Sequence, residues 1–417
     1  MKRVLMVAFH FPPLQGSSGI QRTLKFAKFL PEFGWEPIVL TADPRAYEQT
    51  SDDQLRDVPS TVRVCRAFAL DSARHLAIAG RYPPALARPD RWRTWWLSAV
   101  PCGLALARSL RPSVLWSTYP IATAHVIART LQRRTRLPWV ADFRDPMAQD
   151  GYPRDPKTWA RFKEIEEQTI ASGAQLVFAT PGAQRTYRQR YSRIAPERFQ
   201  LIENGYDDEA FPADDERVRP PLNPGKLTLL HSGIVYPKER DPTSLFKALK
   251  LLVDRGVVKP ESFSIRFRAS VHDDMLRGMA KAAGVDALVE LEPPVGYRVA
   301  LEEMLAADGL LVLQAANCND QIPAKLYEYF RSRRPVIGLT DENGDTAKAL
   351  RDAGCARIAP LDDAQLIAAT LAAFVDDADR TAGWIAGQSA IVRHSRRSRA
   401  AQLAALLDSM VSPAHAS

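Results

Sequence analysis

Short apolar segments alternate along the chain with segments spaced like amphipathic helices, and this alternation restricts the fold more than any other feature. In the first half, "RVLMVAF", "EPIVLTA", "SVLWSTY" and "AQLVFAT" are apolar, whereas "IATAHVIARTLQRRTR" has a helical period. After residue 225 the pattern begins again with "LTLLHSG", "FSIRFRAS", "LLVLQA" and "PVIGLT". Such alternation is typical of β-α-β units, whose strands form a parallel sheet. The sequence therefore predicts an α/β protein with two doubly wound, parallel-sheet domains.

The length and composition agree with two soluble domains. The 417 residues exceed what one hydrophobic core usually organises. We expect one domain over 1–206 and another over 226–388, joined by a linker at 207–225 that is rich in Pro and Asp. Residues 389–417 are expected to be a helix that returns to the first domain. No apolar run approaches the roughly 20 residues of a membrane span.

The N-terminus superficially resembles a signal peptide, because Lys2 and Arg3 precede an apolar run. That run is short, meets Pro12 and Pro13, and lacks a small-residue cleavage site, so we expect a buried strand. The four cysteines lie far apart, without a C-x-x-C pair or clustered His. They predict neither a zinc site nor a disulfide framework, and they fit a reducing cytoplasm.

The positive charge of the chain is concentrated between Arg74 and Arg136. This stretch holds eleven Arg, no Lys and one acidic residue, whereas the whole chain has a net charge of +8. It could be a solvated face with its tryptophans in the core, or a surface for anionic lipid headgroups or a lipid-phosphate acceptor. Nucleic acid is disfavoured because no nucleic-acid module accompanies the charge. If the stretch binds lipid, the residues expected to contact it are Arg91, Trp92, Arg93 and Trp96.

Two loops of the first half follow predicted strands, where ligands of open parallel sheets bind. In "FHFPPLQGSSGIQR", Gly16 and Gly19 precede a helix whose free N–H groups favour a phosphate, although a tight turn explains the loop equally well. In "DFRDP", Asp142, Arg144 and Asp145 come directly after a buried strand. They could serve as acid, base or charge clamp, or form a structural Arg–Asp bridge.

Two loops of the second half carry further candidates. In "HSGIVYPKERDPTSL", a strand ends at Gly233 and is followed by Lys238 and Arg240, whose guanidinium suits phosphate oxygens. The preceding histidine is more typical of a structural residue. In "NDQIPAKLYEYF", Lys325 and Glu328 are three apart and so share a helix face. The Glu could accept hydrogen bonds from vicinal hydroxyls such as those of a ribose, or the two could form a surface ion pair.

Taken in order, these segments resemble glycosyltransferase family 4, a group of bacterial sugar transferases with the GT-B fold of two Rossmann-like domains facing across a cleft. The resemblance extends over almost the whole chain. The similar segments are "FHFPPLQGSSGIQRTLKFAKFLPEFGWEPIVLTA", "RPDRWRTWWLSA", "PWVADFRDPM", "IENGYDDEAF", "GIVYPKERDPTSLFKAL" and "IPAKLYEYFRSRRPVIGL".

The resemblance implies a role for individual residues. Arg240, helped by Lys325, would bind the diphosphate of a nucleotide sugar, and Glu328 would hold its ribose hydroxyls. Gly16 and Gly19 would lie against the diphosphate or the transferred sugar, and the C-terminal helix would cross back to the first domain. The remaining donor-side candidates are Gly233, Lys238 and Asp320.

The chain departs from the family pattern at three positions. Many relatives have two glutamates in an E-x7-E arrangement, whereas here Asp320 occupies the first position and Glu328 the second. Many also have Arg directly after the strand-ending glycine, where this chain has Ile234. A histidine of the "DFRD" loop in some relatives is replaced by Arg144. The catalytic candidates are therefore Asp142, Arg144 and Asp145, together with Arg240.

The expected function is that of a retaining glycosyltransferase that uses a nucleotide-diphosphate sugar and a hydroxyl acceptor, lipid-linked or saccharide, without a metal or other cofactor. The expected location is the cytoplasm, with peripheral attachment to the inner face of the membrane as a possibility and no nucleic-acid partner. Two alternatives stay open: a nucleotide-sugar epimerase or hydrolase of the same fold, and a non-catalytic nucleotide-binding partner in polysaccharide assembly.

Overall fold

The chain folds into two compact units. A computed structural model describes residues 1–15, 19–52, 54–212 and 219–411. The first unit runs from Met1 to Asn204 and resumes at Arg396, and the second runs from Gly205 to Ser395. The predicted α/β class with two parallel-sheet domains is confirmed.

The first unit is built on a sheet whose strands all pair in parallel. Within the described residues its strands are β1 (Lys2–Val7), β2 (Trp35–Ala42), β3 (Arg63–Ala67), β4 (Val114–Thr118), β5 (Trp139–Arg144), β6 (Gln175–Phe178) and β7 (Phe199–Leu201). Their order is β3-β2-β1-β4-β5-β6-β7, so the direction of winding reverses between β1 and β4.

Helices cover both faces of this sheet. They are α1 (Gly19–Phe29), α2 (Ser72–His75), α3 (Trp95–Leu110), α4 (Ala122–Thr135), α5 (Pro156–Ala171) and α6 (Pro181–Arg190). Leu5 and Val7 of β1 point into one core cluster, and Val4 and Met6 point into the other, all without exposed surface. This double burial is the reason that β1 reads as a continuous apolar run rather than as an alternating one. The expected buried strand at the N-terminus is confirmed.

The second unit repeats the architecture with a sheet of parallel strands. Its described strands are β8 (Leu227–Ser232), β9 (Phe263–Arg268), β10 (Val289–Glu292), β11 (Gly309–Leu313), β12 (Val336–Leu339) and β13 (Ile358–Ala359). Their order is β10-β9-β8-β11-β12-β13, and the winding reverses between β8 and β11. The helices are α7 (Thr243–Asp254), α8 (Asp273–Ala282), α9 (Tyr297–Ala306), α10 (Lys325–Ser332), α11 (Asp345–Ala353), α12 (Ala364–Asp376) and α13 (Gln388–Arg393).

The last helix, α14 (Arg396–Val411), belongs to the first unit, as expected. Its buried residues Leu403 and Leu407 join the core cluster that also contains Phe26 and Phe29 of α1. The helix is therefore tied to the first unit by apolar packing.

The segment predicted as a linker, 207–225, differs from that expectation where it is described. Phe211 is buried in a core cluster of the second unit together with the preceding Tyr206, and Leu222 packs against the same cluster. Asp208 forms an ion pair with Arg331 of α10 at 2.6 Å. The Pro-rich and Asp-rich composition suggested a free segment, but its apolar side chains anchor it to the second sheet. Residues 213–218 lie outside the described residues.

Candidate active site

The loops after β8 and β11 meet where the winding of the second sheet reverses, the position at which open α/β sheets bind ligands. The loop after β8 carries Gly233 and Arg240, and the loop after β11 leads into α10, which begins at Lys325. Six of the predicted donor-side residues therefore lie on the two loops that flank the reversal point or on the start of α10: Gly233, Lys238, Arg240, Asp320, Lys325 and Glu328.

Lys325 is held by a histidine at the end of β8. Its Nζ lies 3.1 Å from Nε2 of His231, and Nδ1 of His231 lies 2.9 Å from the carbonyl oxygen of Leu311 on β11. Because a carbonyl oxygen can only accept, Nδ1 carries the proton and Nε2 accepts from Lys325. Burial, and secondarily the charge of Lys325, lower the pKa of His231 well below 6.5, so the imidazole is neutral. The structural role expected for this histidine thus includes orienting Lys325.

Gly233 leaves room for the lysine amine. Its φ is +116°, a conformation that side chains disfavour, and a Cβ built there would lie 3.0 Å from Nζ of Lys325. A side chain at position 233 would therefore both strain the backbone and displace the amine.

Arg240 completes a cationic cluster with Lys325. Its Nη1 donates to the carbonyl of Ile234, and its guanidinium lies 5.1 Å from the ring centre of Tyr236. Burial lowers the pKa of Lys325 well below 10.5, and the nearby charge of Arg240 lowers it further. Two like charges held together in this way favour a doubly charged anion such as a diphosphate.

Glu328 lies on the same face of α10 as Lys325, and its charge partly offsets the lowering of the Lys325 pKa. The hydroxyl of Tyr297 donates to Oε1 of Glu328 at 2.7 Å and so fixes the carboxylate. Two predicted residues of the flanking loops, Lys238 and Asp320, have exposed side chains. Sequence reasoning missed Tyr297 and the orienting role of His231, because both act from strands and helices far away in sequence.

In the first unit, Asp142 is buried in an ion pair and is not accessible to a ligand. Nε and Nη2 of Arg22 each lie 2.8 Å from one of its carboxylate oxygens, and Thr118 donates to the same group at 2.9 Å. Both members of the pair are buried, with 2% of the Arg22 side chain exposed and none of Asp142. Nη2 of Arg22 also donates to the carbonyl of Ile202 at 2.8 Å. This geometry favours the Arg–Asp bridge left open above, with Arg22 of α1 as its unforeseen partner.

Arg144 ends β5 with an unusual backbone. Its φ is +60°, and the pairing of β5 with β6 shifts register between Asp142 and Arg144. Such a conformation in a residue with a side chain costs about 1–3 kcal/mol and tends to occur at functional sites. Nη1 donates to the carbonyl of Tyr119 at 3.3 Å, and the buried Nε has no hydrogen-bond partner within the described part of the chain. The adjoining Asp145 is exposed.

His10 is a candidate that sequence reasoning missed. It follows β1, next to the point at which the first sheet reverses its winding. Burial, and secondarily the charge of Arg144, lower the pKa of His10 to about 4, so a neutral imidazole lies near the arginine. A histidine directly after a buried strand was the signal available in the sequence. Of the two glycines predicted in this loop, Gly19 begins α1, and Gly16 lies outside the described residues.

The four residues of the lipid interpretation separate into two pairs. Arg91 forms ion pairs with Glu48 and with Asp71, and Trp92 packs against the core cluster that contains Leu5 and Val7 of β1. Arg93 and Trp96 instead line a groove at the N-terminal end of α3. The basic stretch therefore combines core tryptophans with a smaller accessible surface.

Neither a metal cluster nor a membrane-spanning helix is found in the described ranges. No group of three or more His, Cys, Asp or Glu side chains there is placed to hold a metal ion. No helix there is both long enough and apolar enough to cross a bilayer.

Two parallel-sheet units of this topology, the second with a cationic cluster at its reversal point, define the chain as a GT-B protein. Residues 18–205 match the family described as "Glycosyl transferase 4-like domain". The resemblance to glycosyltransferase family 4 is thereby confirmed. No curated protein sequence matches the chain significantly.

Several solved structures share the fold of this chain. HepE from Anabaena, crystallised in complex with UDP, is 13% identical with a TM-score of 0.67, over 98% of this chain and 100% of that one. WaaG, a glycosyltransferase involved in lipopolysaccharide biosynthesis, is 13% identical with a TM-score of 0.62, over 97% and 99%. A putative UDP-N-acetylglucosamine 2-epimerase from Listeria monocytogenes is 11% identical with a TM-score of 0.59, over 98% and 96%. At these identities the likeness concerns the fold.

Proposed function

We propose that the protein is a retaining glycosyltransferase that moves a sugar from a nucleotide-diphosphate sugar to a hydroxyl acceptor. The observation that carries the proposal is the cluster of Lys325, Arg240 and Glu328 where the second sheet reverses its winding. Two cations beside one fixed carboxylate suit a diphosphate attached to a ribose. HepE, which shares the fold, has been crystallised with UDP and with UDP-glucose, and this supports the choice of ligand class.

In the proposed reaction the bond between the anomeric carbon and the diphosphate oxygen breaks, and its electron pair leaves with the nucleoside diphosphate. Lys325, Arg240 and the N-terminus of α10 stabilise the negative charge that develops there, so the mechanism requires no metal. The acceptor hydroxyl forms the new bond to the anomeric carbon and gives its proton to the departing phosphate. Attack on the face that the phosphate leaves retains the anomeric configuration.

The acceptor side of the proposal rests on the first unit. Arg144 ends β5, Asp145 follows it, and the neutral His10 follows β1, so all three lie where a sugar or acceptor hydroxyl would meet this sheet. We assign the protein to the synthesis of a cell-envelope or extracellular polysaccharide, with a lipid-linked or saccharide acceptor. It would act in the cytoplasm, attached peripherally to the inner face of the membrane.

Replacing the donor-site side chains tests the ligand assignment. Glu328→Ala and Arg240→Ala are each expected to weaken UDP binding by about 10–30-fold, because each removes a charged hydrogen-bonding group worth about 1.5–2 kcal/mol. Isothermal titration calorimetry measures the dissociation constants. Glu261→Ala and Arg277→Ala remove the same types of side chain from exposed positions of the same unit and serve as matched controls. Unchanged affinity in both donor-site variants would refute the assignment.

A panel of UDP-, GDP- and dTDP-sugars, with and without a lipid-diphosphate extract, separates the transferase from its rivals. A transferase consumes the donor only with an acceptor and forms a glycosylated product. An epimerase or hydrolase, which the fold of the Listeria structure makes the second candidate, consumes or converts the donor alone. Binding without any turnover of the panel would indicate a non-catalytic partner.

A further inference from the structure

A groove with a volume of about 930 Å³ runs between the N-terminal ends of α3 and α5 and the first turns of α4, entirely within the first unit. We call it the helix-layer groove. Its apolar floor is formed by Leu86, Pro89, Trp96, Leu97, Val126 and Ala160. The volume lies in the range of sites that enclose a small ligand, about 300–1,000 Å³. Leu97 is 69% exposed and Trp96 37% exposed, so two large apolar side chains lie open at neighbouring positions.

The rim of the groove is cationic. Four of its residues are positively charged and only one, Glu164, is acidic; the cations are Arg88, Arg93, Lys157 and Arg161. Arg161 pairs with Glu164, and Arg88 pairs with Asp155 at 3.4 Å. Lys157 projects from the exposed face of α5, one turn before Arg161. The groove therefore presents an excess of positive charge beside an apolar floor.

The positive charge continues along α4 away from the groove. Partial burial lowers the pKa of Arg129, and the nearby charges of Arg133 and Arg161 lower it further, while the single carboxylate of Glu164 opposes the shift. The arginines on this surface therefore outnumber the carboxylate that faces them. Such a surface attracts an anion from outside the chain.

An apolar floor with a cationic rim is complementary to a molecule that has a hydrocarbon chain and a phosphate at one end. We propose that the helix-layer groove binds the hydrocarbon chain of a phosphate-bearing lipid, whose phosphate rests against Lys157 and Arg161. This inference rests on the proposed function and deepens it, because it gives the lipid part of a lipid-linked acceptor a site on the first unit. Of the four residues of the basic stretch that were expected to contact lipid, only Arg93 and Trp96 line the groove.

Dodecyl phosphate, used below its micelle concentration, tests the proposal on the full chain. The wild-type protein is expected to bind it at least tenfold more tightly than inorganic phosphate, which lacks the chain, or dodecyl maltoside, which lacks the charge. Leu97→Asp is expected to weaken binding about tenfold or more by placing a carboxylate on the apolar floor. Lys157→Gln combined with Arg161→Gln is expected to weaken it about 25-fold, since each cation near a phosphate contributes roughly fivefold.

Matched controls separate the groove from general surface effects. Leu366→Asp alters an exposed leucine of α12 in the other unit, and Lys247→Gln with Lys259→Gln removes two exposed cations there. These variants are expected to bind dodecyl phosphate within twofold of the wild type. Because Leu97, Lys157 and Arg161 have exposed or partly exposed side chains, the groove variants should fold normally, which circular dichroism verifies.

Several results would overturn the proposal. These are equal affinity for dodecyl phosphate and inorganic phosphate, equal affinity for dodecyl maltoside, or unchanged binding in Leu97→Asp. Saturable binding of an acidic amphipathic peptide that dodecyl phosphate does not displace would instead assign the groove to a protein partner. UDP titrations on the same samples keep the two proposals apart. If the wild-type protein binds UDP but not dodecyl phosphate, the groove alone is refuted. If it binds dodecyl phosphate but not UDP, the donor site alone is refuted.

Discussion

Replacing Arg22 with Ala is expected to lower the free energy of unfolding of the first unit by about 3–5 kcal/mol. The substitution removes both hydrogen bonds that Arg22 donates to Asp142, and the carboxylate, which has no exposed surface, keeps the hydrogen bond from Thr118. A buried charge whose partner is deleted loses the attraction that compensated for its desolvation. The hydrogen bond from Arg22 to the carbonyl of Ile202 is lost as well, so no side chain at position 22 links α1 to both β5 and the end of β7.

Urea unfolding followed by tryptophan fluorescence measures this change, and two further variants define its cause. Arg45→Ala removes an arginine from an exposed pair with Asp43 and is expected to cost less than about 1 kcal/mol. The double variant Arg22→Met with Asp142→Leu removes both charges and is expected to recover much of the stability lost in Arg22→Ala. If Arg22→Ala were no more destabilising than Arg45→Ala, the pair would not be the tie that its geometry indicates.

The contrast between Asp142 and Glu328 shows which parts of a site a sequence can predict. Lys325 and Glu328 are three residues apart on one helix, and helix geometry alone brings them to the same face. Asp142 lies 120 positions from Arg22, and nothing in the local pattern of "DFRDP" indicates a partner on α1. The sequence therefore predicts a polar loop at the end of a strand. It does not predict that Asp142 pairs with Arg22, because that contact depends on tertiary packing.

The fold was more predictable than the contacts for a related reason. Strands buried on both faces, such as β1 and β8, give apolar runs that can be read without knowing their neighbours. The segment 207–225 misled because composition records the number of prolines and acids but not the burial of Phe211. The sequence did not predict that His231 orients Lys325, because the partners of His231 lie far away in sequence, on β11 and α10.

Replacing Lys325 with Ala is expected to weaken UDP binding by about a hundredfold, the largest effect among the donor-site residues. Its amine is fixed by His231 and lies next to Gly233 and Arg240, at the point where the proposal puts the diphosphate. A charge-assisted contact in a site shielded from water is worth about 3 kcal/mol, which corresponds to this factor. Lys281→Ala, which alters an exposed lysine of α8, should leave the affinity unchanged.

The pH dependence of UDP binding provides a sharper test, because the pKa of Lys325 is lowered well below 10.5 in the free protein. As the pH rises through that lowered value, the amine loses its proton and UDP, which prefers the ammonium form, binds less tightly. Bound diphosphate raises the pKa of the amine again, so binding in this range takes up to about one proton and affinity falls by up to about tenfold per pH unit. Below the lowered pKa the ammonium is already present, and affinity should not depend on this group.

Calorimetry in two buffers of different ionisation enthalpy measures the proton uptake directly, at pH values above roughly 7.5 where the phosphates of UDP no longer titrate. His231 does not contribute in this range, since its pKa lies well below 6.5. His231→Phe removes the acceptor that favours the ammonium form of Lys325, so the fall in affinity is expected to begin at lower pH. Lys325→Ala should bind UDP without proton uptake. Equal uptake in Lys325→Ala and the wild type would show that another group titrates and that Lys325 does not meet the diphosphate.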